Sequence, residues 1–206
     1  KNPLEIAQAI VRHMEGSEES VGALSAVEVA PPGFINFTLK SDWLTRQVDV
    51  ILMAGDRYGN INLGQGNRVQ IEFVSVNPTG PLHIGHGRGA ILGDALANTL
   101  AAAGYKVERE YYINDAGSQI DAFYRSLYAH YQRGLGIDAE LPSDGYFGSY
   151  MIDLAKEVAD EVGDKFLALP EHEKVVTQLG QRGLKKMVSL IKRDLKLLGV
   201  NFDVWF

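Results

Sequence analysis

The sequence predicts an α/β protein: part of a parallel sheet, broken by a helical insertion, follows a small α+β unit. Three observations carry this prediction. An alternating run over Val69–Val76 ends in a Gly/Pro-rich turn and feeds a helical pattern, and a second strand-like run begins at Lys106. From Asp121 to about Leu198 the apolar residues recur at helical spacing. The first forty residues instead read as one helix and two short alternating runs.

In chain order, Leu4, Ile6, Ala7, Ile10 and Val11 give one apolar face to a helix over 3–14. Residues 25–30 and 34–40 alternate and are joined by Pro31, Pro32 and Gly33, which predicts a hairpin. Ser41 or Asp42 is the expected cap of a helix running to about Met53. The Gly/Asn-rich stretch Gly55–Asn67 reads as a linker, placing the boundary between residues 1–62 and 63–206. Val69, Ile71 and Phe73 then alternate with Gln70 and Glu72 in a strand. Ile91, Leu92, Ala95, Leu96, Thr99 and Leu100 mark the next helix, which Gly104 stops, and Lys106–Ile113 returns as a strand. Strand, helix, strand at this spacing is a βαβ unit of a Rossmann-like sheet, with the ligand expected at the carboxyl ends of its strands.

In the insertion, about 121–198, three stripes stand out. Phe123, Leu127, Tyr128 and Tyr131 form the first, and Met151, Leu154, Val158 and Val162 the second. Leu184, Met187, Ile191, Leu195 and Leu198 form the third, with breaks at Pro142–Gly145 and at Pro170.

Composition limits the function classes. With 206 residues, 46% hydrophobic and 22% charged, the chain can bury a real core and is not of disordered type. A net charge of -6 argues against bulk affinity for nucleic acid but leaves room for a local basic face. The absence of cysteine excludes disulfides and Cys-ligated zinc. No stretch is apolar for long enough to span a bilayer and no signal-type h-region occurs, so a soluble, cytoplasmic protein is expected.

The informative segment is N-P-T-G-P-L-H-I-G-H-G at 77–87. A turn that leads from a strand into a helix N-terminus presents unpaired N–H groups and a positive dipole end to phosphate. His83 and His86, three apart, fall on one helix face, each able to donate a hydrogen bond to developing negative charge. Gly85 between them lacks the Cβ that would keep a flat base away from the backbone. Two metal ligands are the competing reading, but no third ligand is evident. His13, His130 and His172 lie in polar helical contexts and read as surface residues.

H-I-G-H in this setting resembles the ATP-binding signature of class I aminoacyl-tRNA synthetases. The longer run I-E-F-V-S-V-N-P-T-G-P-L-H-I-G-H-G-R-G-A-I-L-G-D-A-L resembles the bacterial arginyl-tRNA synthetases in particular. So do R-E-Y-Y-I-N-D-A-G-S-Q-I at 109–120 and the final N-F-D-V-W-F. The resemblance implies an ATP side made by Pro78, Thr79, Gly80, His83, Gly85 and His86, with His83 and His86 as the catalytic pair. It implies arginine contacts at Ser75, Val76, Asn77 and His86, and at Glu72, whose carboxylate suits a cationic substrate. It gives Asn114, Asp115, Gly117 and Gln119 a part in shaping the pocket; a capped turn is the alternative for Asn114 and Asp115. The implied chemistry is attack of the arginine carboxylate on the α-phosphorus of ATP, then acyl transfer to tRNA-Arg. Magnesium accompanies the triphosphate as part of the substrate, with no tightly bound metal or organic cofactor. In this family tRNA is generally needed before arginine is activated, residues 1–62 correspond to the part that touches the tRNA, and the full-length enzyme is expected to be a monomer.

Two other readings use the same residues: a stand-alone H-x-G-H nucleotidyltransferase, and a non-catalytic tRNA-binding module. The second signature of the class, a K-M-S-K-S-like loop, does not occur; G-L-K-K-M at 183–187 lies in a helical pattern and does not match. The chain starts at Lys1 within an amphipathic pattern and stops in the apolar Val204, Trp205 and Phe206, which reads as a fragment, expected to be inactive alone.

Overall fold

In a computed structural model, residues 2–14, 17–170 and 172–206 are described. The chain divides into two compact units, residues 1–60 and 61–206. In the first, α1 (Pro3–Met14) buries Ala7 and Val11, the inner positions of its predicted face. A short helix that the periodicity did not reveal, α2 (Glu18–Ala23), is capped by the Ser17 hydroxyl, which accepts from the Ser20 N–H at 3.2 Å. The predicted hairpin forms from β1 (Leu24–Ala30) and β2 (Phe34–Leu39), antiparallel with Ala30 opposite Phe34. Helix α3 (Ser41–Ala54) starts where expected, but its N-cap is Lys40 and no side chain caps it, so neither Ser41 nor Asp42 has that role.

The second unit contains a parallel sheet in the order β3-β4-β5, formed by β3 (Arg68–Glu72), β4 (Lys106–Tyr111) and β5 (Val204–Trp205). Helix α4 (Ile84–Ala102) joins β3 to β4 as the βαβ pattern requires, and Gly104 follows it at φ 89. The α4 face turned inward is not the bulky stripe of the sequence reading. Ala90, Gly93 and Ala97 are buried, whereas Ile91, Leu92 and Leu96 are exposed. The cause is steric: Phe73 fills the space beside Gly93, and a Cβ there would fall inside contact distance of its ring. The end of α4 is closed by the segment before β3. Ile61, Gly64 and Gly66 donate N–H groups to the carbonyls of Ala102, Ala103 and Gly104 at 2.8–2.9 Å, partnering carbonyls that a helix end leaves open.

Arg109 fastens α4 to the sheet. Its guanidinium reaches Asp94 at 3.3 Å and Asn98 at 2.7 Å, and its backbone N–H donates to the Asp203 carboxylate at 2.8 Å. The insertion is three helices, α5 (Ser118–Gly134), α6 (Ser149–Val162) and α7 (His172–Leu197), around a core that includes Phe123, Leu127, Tyr131, Met151, Leu154, Val158, Leu179 and Met187. Gly180 and Gly183 let α5 and α7 approach so closely that an added Cβ would collide with Tyr124 and Leu127 respectively. At 26 residues α7 is about 39 Å long, enough to serve two cores. Its Val175–Met187 part packs into the insertion, while Ile191 and Leu195 join Phe73, Ala90, Tyr111 and Val200 beneath the sheet. Leu198, the last member of the predicted third stripe, lies beyond the helix end and is exposed.

His130 corrects another expectation. It is 8% exposed, and its Nε2 lies 3.3 Å from the Tyr146 carbonyl oxygen, so it belongs to the insertion interior. His13 and His172 are exposed as expected, the latter edge-on to Tyr128 at 5.2 Å.

Candidate functional site

The site begins where β3 stops early. The predicted strand ran to Val76, but the ladder ends at Glu72 because Val74 and Ser75 turn into the left-handed region, with φ of 65 and 41. A β-branched residue is rarely found there, and such residues cost on the order of 1–3 kcal/mol each, so the surroundings must hold them. Two consecutive tyrosines of β4 and its exit do so. The Tyr111 phenol accepts from the Val76 N–H at 3.2 Å and donates to the Val76 carbonyl at 3.1 Å. The Tyr112 N–H donates to the Ser75 hydroxyl at 3.0 Å. Tyr111 is itself stacked on Trp205 at 4.5 Å, and burial pushes its phenol up to about 12, so it remains protonated.

After this kink Pro78 is fully buried and Thr79 is nearly so. The Thr79 N–H donates to the Asn77 carbonyl at 2.8 Å, and the Thr79 carbonyl accepts from the Tyr150 phenol at 2.8 Å. The Asn77 side-chain amide donates to Gln119 Oε1, joining the loop after β3 to the first turn of α5. Asn77 and Gln119 are thereby brought together as the strand-end argument expects. Asn114 and Asp115 do not cap α5; its N-cap is Gly117, at φ 96, with no side-chain cap bond. Asp115 instead lines a cavity of about 730 Å³ with Ile113, Tyr124, Gln181 and Lys185. Glu72 is the exposed last residue of β3, opposite Glu110 in the parallel register.

His83 is the N-cap of α4, and the two histidines form a reciprocal capping box. His83 Nδ1 accepts from the Gly85 N–H at 3.1 Å, and His86 Nδ1 accepts from the His83 N–H at 3.3 Å. The rings stack with centroids 3.5 Å apart. An Nδ1 that accepts carries no proton, so both neutral rings have their hydrogen on Nε2. The pKa of His86 is held below its ordinary value by burial, and secondarily by the adjacent His83. Gly85 differs from expectation in one respect: a Cβ there would meet the His83 ring itself, 3.0 Å from Cε1, so the space beside Gly85 is shared with this imidazole. Among the described residues no group of three or more His, Cys, Asp or Glu side chains is arranged to hold a metal ion. No described helix is long and apolar enough to cross a membrane.

Sequence reasoning missed Tyr111 and Tyr150. Both lie far along the chain from the turn they hold, 35 residues from Val76 and 71 from Thr79, and no local pattern connects them.

Comparison with known proteins agrees with this architecture. The family model for the class I (R) tRNA synthetase catalytic domain matches residues 47–196, and that for the arginyl tRNA synthetase N-terminal domain matches residues 1–39. An arginine–tRNA ligase of Dehalococcoides mccartyi is 56% identical and one of Anoxybacillus flavithermus 50% identical, each over the whole chain. A crystal structure from Campylobacter jejuni, provisionally assigned as an arginyl-tRNA synthetase, aligns over 82% of the chain and 36% of its own, with TM-score 0.71 and 35% identity. The chain spans 36% of the length of these curated relatives. A catalytic-domain match over 150 residues, with H-I-G-H at a helix start beside a parallel strand, leaves one assignment: the chain belongs to the arginyl family of class I tRNA synthetases.

Proposed function

We propose that this chain is the signature-bearing part of an arginine–tRNA ligase, which activates L-arginine with ATP and transfers it to tRNA-Arg. The observation that carries the reading is the paired-imidazole cap at the start of α4, next to the carboxyl end of a parallel strand. With both Nδ1 atoms occupied by backbone N–H groups, each ring has its Nε2–H left to donate, and among the described residues neither has a partner. Such donors stabilise charge that develops as the α-phosphate is attacked, in a reaction that needs no protein nucleophile.

In this reading His83, Gly85 and His86, with Pro78, Thr79 and Gly80 in the turn, form the ATP side, and His83 and His86 are the catalytic pair. Ser75, Val76, Asn77 and His86 take the arginine main-chain groups, and Glu72 takes positive charge. The kink at Val74–Ser75 supports this assignment, because it turns the backbone of Ser75 and Val76 out of the sheet's ladder. Asn114, Asp115, Gly117 and Gln119 shape the pocket, Gln119 through its bond to Asn77. Magnesium arrives with the triphosphate, bound mainly by phosphate oxygens and water. Residues 1–62 form the tRNA-contacting part and 63–206 the first part of the catalytic domain. The setting is the cytoplasm, and the full-length enzyme is a monomer.

Calorimetric titration of the chain with ATP and magnesium tests this, with filter binding to tRNA over a salt series. Saturable ATP binding that falls at least tenfold in both His83→Gln and His86→Gln is expected. Salt-sensitive tRNA binding with no ATP binding would instead favour a tRNA-binding module.

A further inference from the structure

The signature turn is tied to the helical insertion by the Asn77–Gln119 contact at its start and by a second hydrogen bond, from Tyr150, further along. Tyr150 sits in the first turn of α6, and its phenol donates to the Thr79 carbonyl at 2.8 Å. Glycines flank its ring on both sides. A Cβ on Gly80 would fall 3.3 Å from the phenol oxygen, and one on Gly148 would fall 2.6 Å from Cε1. The Thr79 N–H is already bonded to the Asn77 carbonyl, so with Tyr150 in place both backbone groups of this buried residue are fixed. The other end of the contact is equally firm: Met151, Leu154, Ala155 and Val158 of α6 lie in the insertion core. Burial, with Tyr146 nearby, pushes the Tyr150 phenol up to about 12, so it stays a donor at neutral pH.

We infer that Tyr150 is a positioning residue: it holds the Thr79–Gly80 peptide so that the chain enters the His83 cap at one angle, and through it the helical insertion sets the phosphate side of the signature. Within the H-I-G-H segment itself, the side-chain bonds among the described residues run between His83, Gly85 and His86 and do not fix that angle. The inference concerns the ATP site named above, and only the second part of its test rests on that reading.

The first part is amide hydrogen exchange on the full 206-residue chain with Tyr150→Phe, which keeps the ring between its glycines and removes the donor. Exchange over residues 77–87 is expected to quicken about fivefold, the factor that one net hydrogen bond corresponds to, with the melting temperature lowered by only a few degrees and the α5–α7 amides accelerated no more than about fivefold. Unchanged exchange over 77–87 overturns the inference. Exchange that quickens more in α5–α7 than over 77–87 also overturns it, since Tyr150 would then merely stabilise the insertion. Gly80→Ala, which displaces the ring while keeping its hydroxyl, should give the same local acceleration, and wild-type protection there counts against the inference. The second part is ATP affinity, expected to weaken about fivefold in Tyr150→Phe. Equal affinity in the two chains overturns the positioning role. A wild-type chain that binds no ATP sinks the proposed function instead, and the exchange result then decides the role of Tyr150 alone.

Discussion

Tyr111 grips Val76 at both of its backbone groups through a single phenol oxygen, accepting from the N–H at 3.2 Å and donating to the carbonyl at 3.1 Å. This contact stands directly after the two left-handed residues Val74 and Ser75, whose backbone has no ladder partner to hold it. The strand end is thus shaped from the neighbouring strand, and the residues proposed to receive the amino acid inherit their geometry from β4.

Tyr111→Phe removes both bonds and leaves two partly buried backbone groups without partners. The expected loss is about 1–3 kcal/mol, seen as a lower urea midpoint at unchanged slope. A midpoint equal to wild type would show that the kink holds itself.

The imidazole cap depends on pH with a defined sign. The folded-state pKa of His86 lies below its ordinary value, near 6.5, so folding disfavours its protonation. Its contribution is therefore complete above about pH 6.5 and is lost as pH falls through the lower folded value. Nitrogen-15 shifts at pH 7 should report the His86 ring as neutral with the proton on Nε2. On acidification the His83 amide, which donates to His86 Nδ1, should lose protection as that nitrogen gains a proton. Signals from Nδ1–H tautomers at pH 7 would contradict the cap.

Arg109 joins β4 to α4 with a partly buried guanidinium that has two partners, so replacing it should exceed the small cost of a surface ion pair. Arg109→Met is expected to cost about 1–3 kcal/mol, because Asp94 and Asn98 lose a charged donor. A denaturation curve displaced by less than a few tenths of a kcal/mol would mean that water replaces it freely.

Gly180→Ala and Gly183→Ala set helix propensity against packing. Alanine gains up to about 1 kcal/mol within a helix, but at these positions its Cβ enters space held by Tyr124 and Leu127. Overpacking typically costs about 1–3 kcal/mol, so net destabilisation is expected from thermal melts of both variants. Gly134→Ala, at a glycine whose surroundings are open, serves as the control.

The chain alone is expected to give no arginine-dependent pyrophosphate exchange, even with tRNA present. Its G-L-K-K-M segment lies within α7 and not in a mobile loop, and no other stretch resembles the second signature of the class. Measurable turnover from purified chain would refute this.

How much could be read in advance follows from the range of each interaction. The hairpin, the βαβ unit and the His83–His86 pairing are local patterns, and they appear where the periodicity and the turn residues put them. The kink at Val74–Ser75 is invisible to such reasoning, since valine argues for continuing the strand and only Tyr111 and Tyr112 oppose it. The inward face of α4 was misjudged because close approach to Phe73 favours small residues over the bulky ones that periodicity counts. His130 looked polar from its neighbours in sequence, yet the Tyr146 carbonyl gives it a partner inside.

Helix α7 has a consequence for how the second unit comes apart. Melting the insertion would strip Leu179, Leu184 and Met187 of their neighbours, and melting the sheet would do the same to Ile191 and Leu195. Loss of either packed face weakens the helix on which the other core also depends, since helical stability in proteins comes mainly from a packed face. The sheet and the insertion therefore share one cooperative opening event, and a ligand that grips the strand ends protects, through this common rod, amides in the far part of the insertion.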